Sequence, residues 1–255
     1  MEWSATQYAK FLSDRTRPAR DLLSAVPLGA PGLAVDVGCG PGNSTALLAE
    51  RFPGAEILGL DPDPGMIRAA QAALPGCAFQ LVDVESWRPD SPPDLIFANA
   101  SLQWVPDHRA LFPHLVGLLP AGGVLAVQMP DNLGEPSHVA MRRVAGDPRW
   151  AARLADAAAQ RQPLLSPAGL HALLRPSCRR VDIWRTTYHL ELAGLDAIVE
   201  WFRGSALRPY LEPLDEAERP AFLDAYRREI SPFYPESGGR VLLPFPRSFF
   251  VAVAG

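Results

Sequence analysis

The chain has 255 residues, 48% of them hydrophobic and 20% charged, with a formal net charge of −4. That length can bury the core of one large domain, the composition is that of a globular enzyme, and the net acidity argues against nucleic acid as a partner. No apolar run approaches the roughly 20 residues that span a bilayer, and the first stretch lacks the apolar core of a signal peptide, so no membrane partner is expected and the expected location is the cytoplasm.

In chain order, residues 6–26 predict a helix broken at or near Pro18, because proline removes a helical hydrogen bond. An alternation follows: strand "GLAVDV", helix from about Asn43 to Arg51, strand "AEILGL", helix from Asp63 to Ala73, strand "CAFQLV". Then come strand "DLIFANA", helix from about Asp107 to Leu118, and strand "GGVLAVQM". Short apolar strands separated by helices of about ten residues imply parallel crossover units, and right-handed crossovers give a doubly wound α/β sheet. Its ligand crevice lies at the carboxyl ends of the strands, where Asp36, Asp61, Asp83 and Asn99 fall.

After Pro130 the pattern becomes helical over 135–160, with a break at Gly146 to Pro148. "SPAGLHALL" starts a further helix with Ser166 as its cap and Pro167 in the first turn. "RRVDIWRTTYHLEL" and "RVLLPFPRSFFVAVAG" read as long strands, separated by two helical stretches. The expected architecture is a single domain over 1–255, a mostly parallel sheet of seven strands. Residues 1–130 form mainly the cofactor-binding core. Residues 131–255 add a helical, substrate-capping insertion and the last two strands.

The loop "VDVGCGPGNST" carries Gly38, Gly40 and Gly42 between the first strand and its helix. A dinucleotide-binding loop wants Gly-x-Gly-x-x-Gly. Here the third glycine comes one position early, and Asn43 stands where the pattern wants Gly or Ala. Asp36, two residues before the first glycine, would repel a pyrophosphate and suit a ligand carrying positive charge. The other readings of these residues are structural: a tight turn at Gly38 and Gly40, a helix cap at Asp61 or equally at Asp63, a turn at Asp83, and a small buried thiol at Cys39. Three distant cysteines, Cys39, Cys77 and Cys178, fit reduced thiols. His138, His171 and His189 show no metal-ligand spacing, and no metal is expected.

Taken together, the glycine loop, the acid of "ILGLDPD", the acid of "FQLVDVESW" and the glycine pair of "PAGGVLAVQM" resemble the S-adenosylmethionine-dependent methyltransferases of the Rossmann-like class. The resemblance implies S-adenosyl-L-methionine as cofactor and S-adenosyl-L-homocysteine as product. It implies that the glycine loop underlies the methionine portion, that Asp61 binds the ribose hydroxyls and that Asp83 lies beside the adenine. The cofactor contacts it implies are Asp36, Gly38, Gly40, Asn43, Asp61, Met66, Asp83, Val84, Asn99, Ala100 and Trp104.

A narrower resemblance runs from Trp3 to Phe249, through "RTRPARDLL", "FANASLQWVPDH", "LAVQMPDNLGEPSH", "RVDIWRTTY" and "VLLPFPR". These stretches are similar to a branch of the class that esterifies a small tricarboxylate, and they imply a small-molecule polycarboxylate substrate. Lys10 is the only lysine among 24 basic residues. Genomic base composition accounts for that bias, yet the planar fork of arginine suits carboxylates as lysine does not. Arg185, Arg203, Arg208, Arg240 and Arg247 are the candidate donors, with Arg185, Arg208 and Arg247 preferred. Gln103 and Gln128 follow the fourth strand and end the fifth, and Asp131 and Asn132 add polar capacity. Trp3, Tyr8 and Phe11 form an apolar leading segment expected to cover the cofactor, with Tyr8 touching substrate. No side chain is expected to act as acid or base, because a carboxylate acceptor is already ionised at neutral pH.

Overall fold

The computed structural model describes residues 12–159 and 161–255. These residues divide into two compact units: a sheet unit of 15–130, 164–186 and 247–255, and a helical unit of 12–14, 131–163 and 187–246. The leading segment expected to cover the cofactor, with Trp3, Tyr8 and Phe11, lies outside the described residues.

The alternation of the first half builds helix α1 (Leu12–Ser24), β1 (Leu33–Val37), α2 (Asn43–Arg51), β2 (Glu56–Asp61), α3 (Pro64–Ala73) and β3 (Ala78–Leu81). It continues with β4 (Leu95–Asn99), α4 (His108–Gly117) and β5 (Val124–Pro130). Then follow α5 (Pro136–Ala145), α6 (Ala151–Ala159), α7 (Pro167–Leu174), β6 (Cys178–Leu192), α8 (Gly194–Arg203), α9 (Arg208–Leu211), α10 (Glu218–Ile230) and β7 (Val241–Ala254). The seven strands lie in the order β3-β2-β1-β4-β5-β7-β6. β1 through β5 pair in parallel, and β7 runs antiparallel to β5, with Val127 opposite Phe250 and Pro130 opposite Arg247.

The core of the sheet unit comes from the inner strands. Val35, Val37, Ile96, Ala98, Leu125, Val127, Phe250 and Ala252 are packed with Leu111, Phe112 and Leu115 of α4. β5 is buried along its whole length, as a central strand covered on both faces must be. Each large apolar side chain removed from water contributes about 1.5–3 kcal/mol. In the helical unit, α5, α6 and α10 pack around Phe202, Phe222, Tyr226 and Ile230, with Trp150 edge-on to Phe222 at 5.3 Å.

Pro18 does not break the first helix, which continues from Leu12 to Ser24 with the proline inside it. Ala19, Leu22 and Leu23 on that helix are all buried, and this packing outweighs the local cost of the proline. Asp63 caps α3 by accepting from the amides of Gly65 and Met66, and Ser166 caps α7 through the amide of Gly169.

Candidate functional site

The glycine loop sits where β1 turns into α2. Its glycines Gly38, Gly40 and Gly42 have φ of 70°, 54° and 96°, a region that side chains disfavour. Gly38 also needs its size: a Cβ there would stand 2.2 Å from Cβ of Ser101. The amides of Gly38 and Cys39 donate to the carbonyl of Leu60 at 2.8 and 2.9 Å, which fixes the loop against the end of β2. At Gly40 a Cβ would point into open space, so a ligand can approach the backbone there.

Asp61 ends β2 and is only 9% exposed. One carboxylate oxygen accepts the amide of Gly40 and the other that of Asp63, both at 2.9 Å. An ionised carboxylate has about four lone-pair sites, so two acceptors remain for a pair of ligand hydroxyls. Burial raises its pKa above the ordinary value, while the Asp63 and Gly40 amides hold it down.

Asp36 is wholly buried in β1. Its Oδ2 accepts the hydroxyls of Ser44 and Thr45, each at 2.7 Å, and Oδ1 is buried with no partner among the described residues. Burial pushes its pKa up to about 6 against the lowering effect of those two hydroxyls, and neighbouring Asp61 adds to the rise. Two acidic groups, Asp36 and Asp61, therefore lie beneath the loop. This arrangement repels a pyrophosphate and fits a ligand with a sulfonium and an ammonium.

The remaining strand ends differ from one another. Asp83 is exposed and its Oδ1 accepts the amide of Glu85, closing a turn, while Val84 beside it is buried. Asn43 and Met66 are partly buried at the starts of α2 and α3, and Trp104 is 43% exposed after β4. Ala100 has φ of 55°, a left-handed conformation costing a residue with a side chain about 1–2 kcal/mol. Its N–H donates to the carbonyl of Gln128 at 2.9 Å and its carbonyl accepts from Gln103 Nε2 at 2.8 Å, so both sides are held. Asn99 Oδ1, Gln103 Oε1 and Gln128 Nε2 are buried without hydrogen-bond partners among the described residues. Three such atoms around one strained residue mark a polar site built for something further.

The candidate arginines separate clearly. Arg247 is 5% exposed on β7, and its Nη1 donates to Oε1 of the fully buried Gln128 at 2.9 Å. Arg185 is exposed on β6. Arg203 and Arg208 are exposed; Arg203 pairs with Glu200 of its own helix at 3.2 Å, and Arg208 with Glu212, just past the end of α9, at 2.7 Å. Arg240 is exposed and 3.8 Å from Glu191.

Two other arginines escaped the sequence reading. Arg161 Nη1 donates to Oδ1 of Asn132 at 3.3 Å, and Arg142 Nη2 donates to the carbonyl of Leu133 at 2.7 Å. Both belong to the helical unit, with His138 and Tyr210 close by. Arg142 lies four residues after His138 on α5, hence on the same face, and that spacing was the available signal. Arg161 follows α6 and carries no periodic signal.

Among the described residues no group of His, Cys, Asp and Glu is placed to hold a metal, and no helix is long and apolar enough to cross a membrane.

A family profile described as a methyltransferase domain matches residues 35–125, the stretch from β1 into β5. The trans-aconitate 2-methyltransferase of Methylobacterium radiotolerans is 55% identical over 98% of both chains. That of Methylobacterium nodulans is 57% identical, again over 98% of both, and that of Rhizobium etli 52% identical over the full length of each. Among solved structures, the YcgJ protein of Bacillus subtilis superposes with a TM-score of 0.62 at 14% identity, covering 93% of this chain and 98% of its own. Phosphoethanolamine N-methyltransferase 2 of Haemonchus contortus, in complex with S-adenosylhomocysteine, gives 0.58 at 13% identity over 98% of this chain and 57% of its own. At such identities these two share the fold alone.

Proposed function

Since the chain belongs to the trans-aconitate 2-methyltransferase family of S-adenosylmethionine-dependent methyltransferases, we propose that it esterifies one carboxylate of trans-aconitate or of a closely similar small polycarboxylate in the cytoplasm. The observation that carries this reading is the extent of the likeness: more than half the residues agree over an alignment that covers 98% of each chain and so takes in the helical unit as well as the glycine loop. The substrate, unlike the cofactor, is chosen by the parts of a methyltransferase that differ from one branch to another.

The cofactor, when bound, supplies a methyl group on a positively charged sulfur. The chain's part is to bind and orient. Asp61 keeps acceptors for the ribose hydroxyls, Gly40 leaves room for close approach, and Asp36 places negative charge beneath the loop. Asp83, Val84, Met66, Asn43, Asn99, Ala100 and Trp104 complete the proposed cofactor contacts. Arg247, held by Gln128, is the proposed carboxylate donor of the sheet unit, with Gln103 beside Ala100. Arg185 and Arg208, exposed as they are, take no part in this proposal.

A carboxylate titrates near about 4, so the acceptor arrives ionised and no proton has to be removed from it. The buried histidines fit that economy. His108 has its Nε2 2.7 Å from the carbonyl of Leu102, and burial, with Arg161 and Arg142 nearby, lowers the pKa of His138 to about 3. His138 is therefore neutral and not poised to take a proton.

The reading is tested by incubating the protein with radiolabelled S-adenosylmethionine and a panel of small mono-, di- and tricarboxylic acids. Label should enter a base-labile ester of trans-aconitate in preference to the others. Transfer to an amine or phenol, with none to any carboxylate, would overturn it.

A further inference from the structure

Asp36 is a buried acid without a cation. It lies on β1, two residues before Gly38, and its Oδ2 accepts the hydroxyls of Ser44 and Thr45, two and three residues after Gly42. One carboxylate thus joins the two ends of the glycine loop, all within the sheet unit. An acid taken out of water is ordinarily paired with a lysine or arginine. Among the described residues no basic side chain bonds to Asp36, and its Oδ1 has no hydrogen-bond partner. The first turn of α2, which has no side-chain cap, offers only the partial positive charge of its amides. The other charged neighbour is Asp61 on β2, which opposes the charge of Asp36. The Cys39 thiol is pushed far up by burial and by both acids, so it stays neutral. The strands on either side place Gly59 and Phe97 opposite Asp36, and neither titrates.

We propose that Asp36, held by Ser44 and Thr45, reads the charge on the sulfur of the cofactor: it favours the sulfonium of S-adenosylmethionine over the neutral thioether of S-adenosylhomocysteine, and so helps the spent form to leave. The inference rests on the placing of the cofactor over the glycine loop in the functional reading above, and gives one acid beneath that loop a selective role.

Three considerations support it. The first is the missing counter-charge. A side chain that served only to tie Ser44 and Thr45 could be an asparagine, which accepts the same two bonds without the cost of burying a charge. A charge with no partner beneath a ligand loop acts through space on a charged ligand and hardly at all on a neutral one, and burial strengthens the effect. The second is the state of the group. The two hydroxyls favour the ionised form against burial and Asp61, and the balance leaves the pKa at about 6, so Asp36 is mostly ionised at pH 7. The third is what methyl transfer changes. The acceptor oxygen bonds to the methyl carbon, the carbon–sulfur bonding pair stays on sulfur, and the positive charge is gone. The adenosine and amino-acid ends are the same before and after. The methyl group and its charge are all that a fixed site can use to tell the two forms apart.

The test is calorimetric titration of the full chain with S-adenosylmethionine and with S-adenosylhomocysteine, without acceptor, at several pH values from 5 to 8. The ratio of the two affinities cancels what the common parts of the ligands contribute, the ribose included. The ionised form of Asp36 is lost as pH falls through about 6, so the wild-type ratio should swing towards S-adenosylhomocysteine by about five- to tenfold between pH 8 and 5. Asp36→Asn should show the low-pH ratio throughout. Thr45→Val removes a hydroxyl that lowers the Asp36 pKa, and should move the swing to higher pH. A flat wild-type ratio, a swing that persists in Asp36→Asn, or an equal loss of affinity for both ligands in that variant would overturn the inference; the equal loss would leave Asp36 only a brace for α2. If Asp36→Asn does not fold, the wild-type and Thr45→Val titrations decide, and an unmoved swing in Thr45→Val overturns it. Unchanged binding of both ligands in Asp61→Ala would instead strike the placing of the cofactor, and no binding of either to wild type would overturn both.

Discussion

The amide of Gly40 donates to the carboxylate of Asp61 at 2.9 Å, so the residue that opens the cofactor loop is tied to the residue that ends the neighbouring strand. Asp61 is therefore a brace for the loop as well as the proposed ribose ligand. Asp61→Ala should weaken S-adenosylhomocysteine binding about ten- to hundredfold and also lower the thermal transition, since two backbone amides lose their acceptor at about 1 kcal/mol or more each. Asp61→Asn keeps an acceptor and should lose affinity with a smaller loss of stability. Calorimetry beside thermal melts separates the two effects; unchanged affinity in both variants would remove Asp61 from the site.

Gly38 and Gly40 should fail in different ways. Gly38→Ala drives a Cβ into Ser101 and should destabilise strongly, with partial rescue by Ser101→Gly. Gly40→Ala meets nothing, so its cost is the backbone strain of about 1–2 kcal/mol, together with a loss of cofactor affinity where the ligand would have lain. Melting temperature and titration on the same three proteins test this; equal stability losses at the two glycines would contradict it.

Asp36 gives a pH signature. The folded chain holds its proton to about pH 6, whereas the ordinary value is 3.8. Between these values the folded state binds more protons than the unfolded state, so this group's contribution to stability falls as pH rises and is fully present only below the lower value. Asp36→Asn cannot ionise, and its carbonyl can still accept from Ser44 and Thr45. Relative to wild type the variant should gain as pH goes from 4 to 7, by about 2.4 kcal/mol of the ~3 kcal/mol that the whole shift represents at ~1.4 kcal/mol per unit. Urea unfolding at both pH values measures the difference, and a gap independent of pH would show that Asp36 is not the titrating group.

Arg247→Lys keeps the charge and loses the fork. It should lower kcat/KM for trans-aconitate about tenfold or more with cofactor affinity held. Arg208→Lys, in an exposed pair with Glu212, should stay within about twofold of wild type. The reverse ranking in steady-state kinetics would place the carboxylates elsewhere.

Much of the sheet was readable because its signals are local. Apolar runs mark β1, β2, β4 and β5, positive-φ glycines mark the loop, and Asp63 and Ser166 mark helix starts by their capping chemistry. Pro18 misled because the packing of Ala19, Leu22 and Leu23 is not a local property. The arginines were the hardest to read. Arg208 and Arg161 look alike as letters, and only the fold pairs one with Glu212 at the surface and brings the other to Asn132. Arg247 was one of several candidate arginines of the last strands, and only the fold buries it against Gln128.

Strand order also sets a schedule for the growing chain. β7 is the seventh strand to be synthesised, yet it lies between β5 and β6. Until it emerges, β5 presents an open edge of mostly apolar residues, and β6 has no neighbour through which to join the sheet. The nascent protein thus carries a vacant slot through the making of more than a hundred residues after β5. Closing it is a long-range event, of the kind that slows folding and invites pairing with the wrong strand.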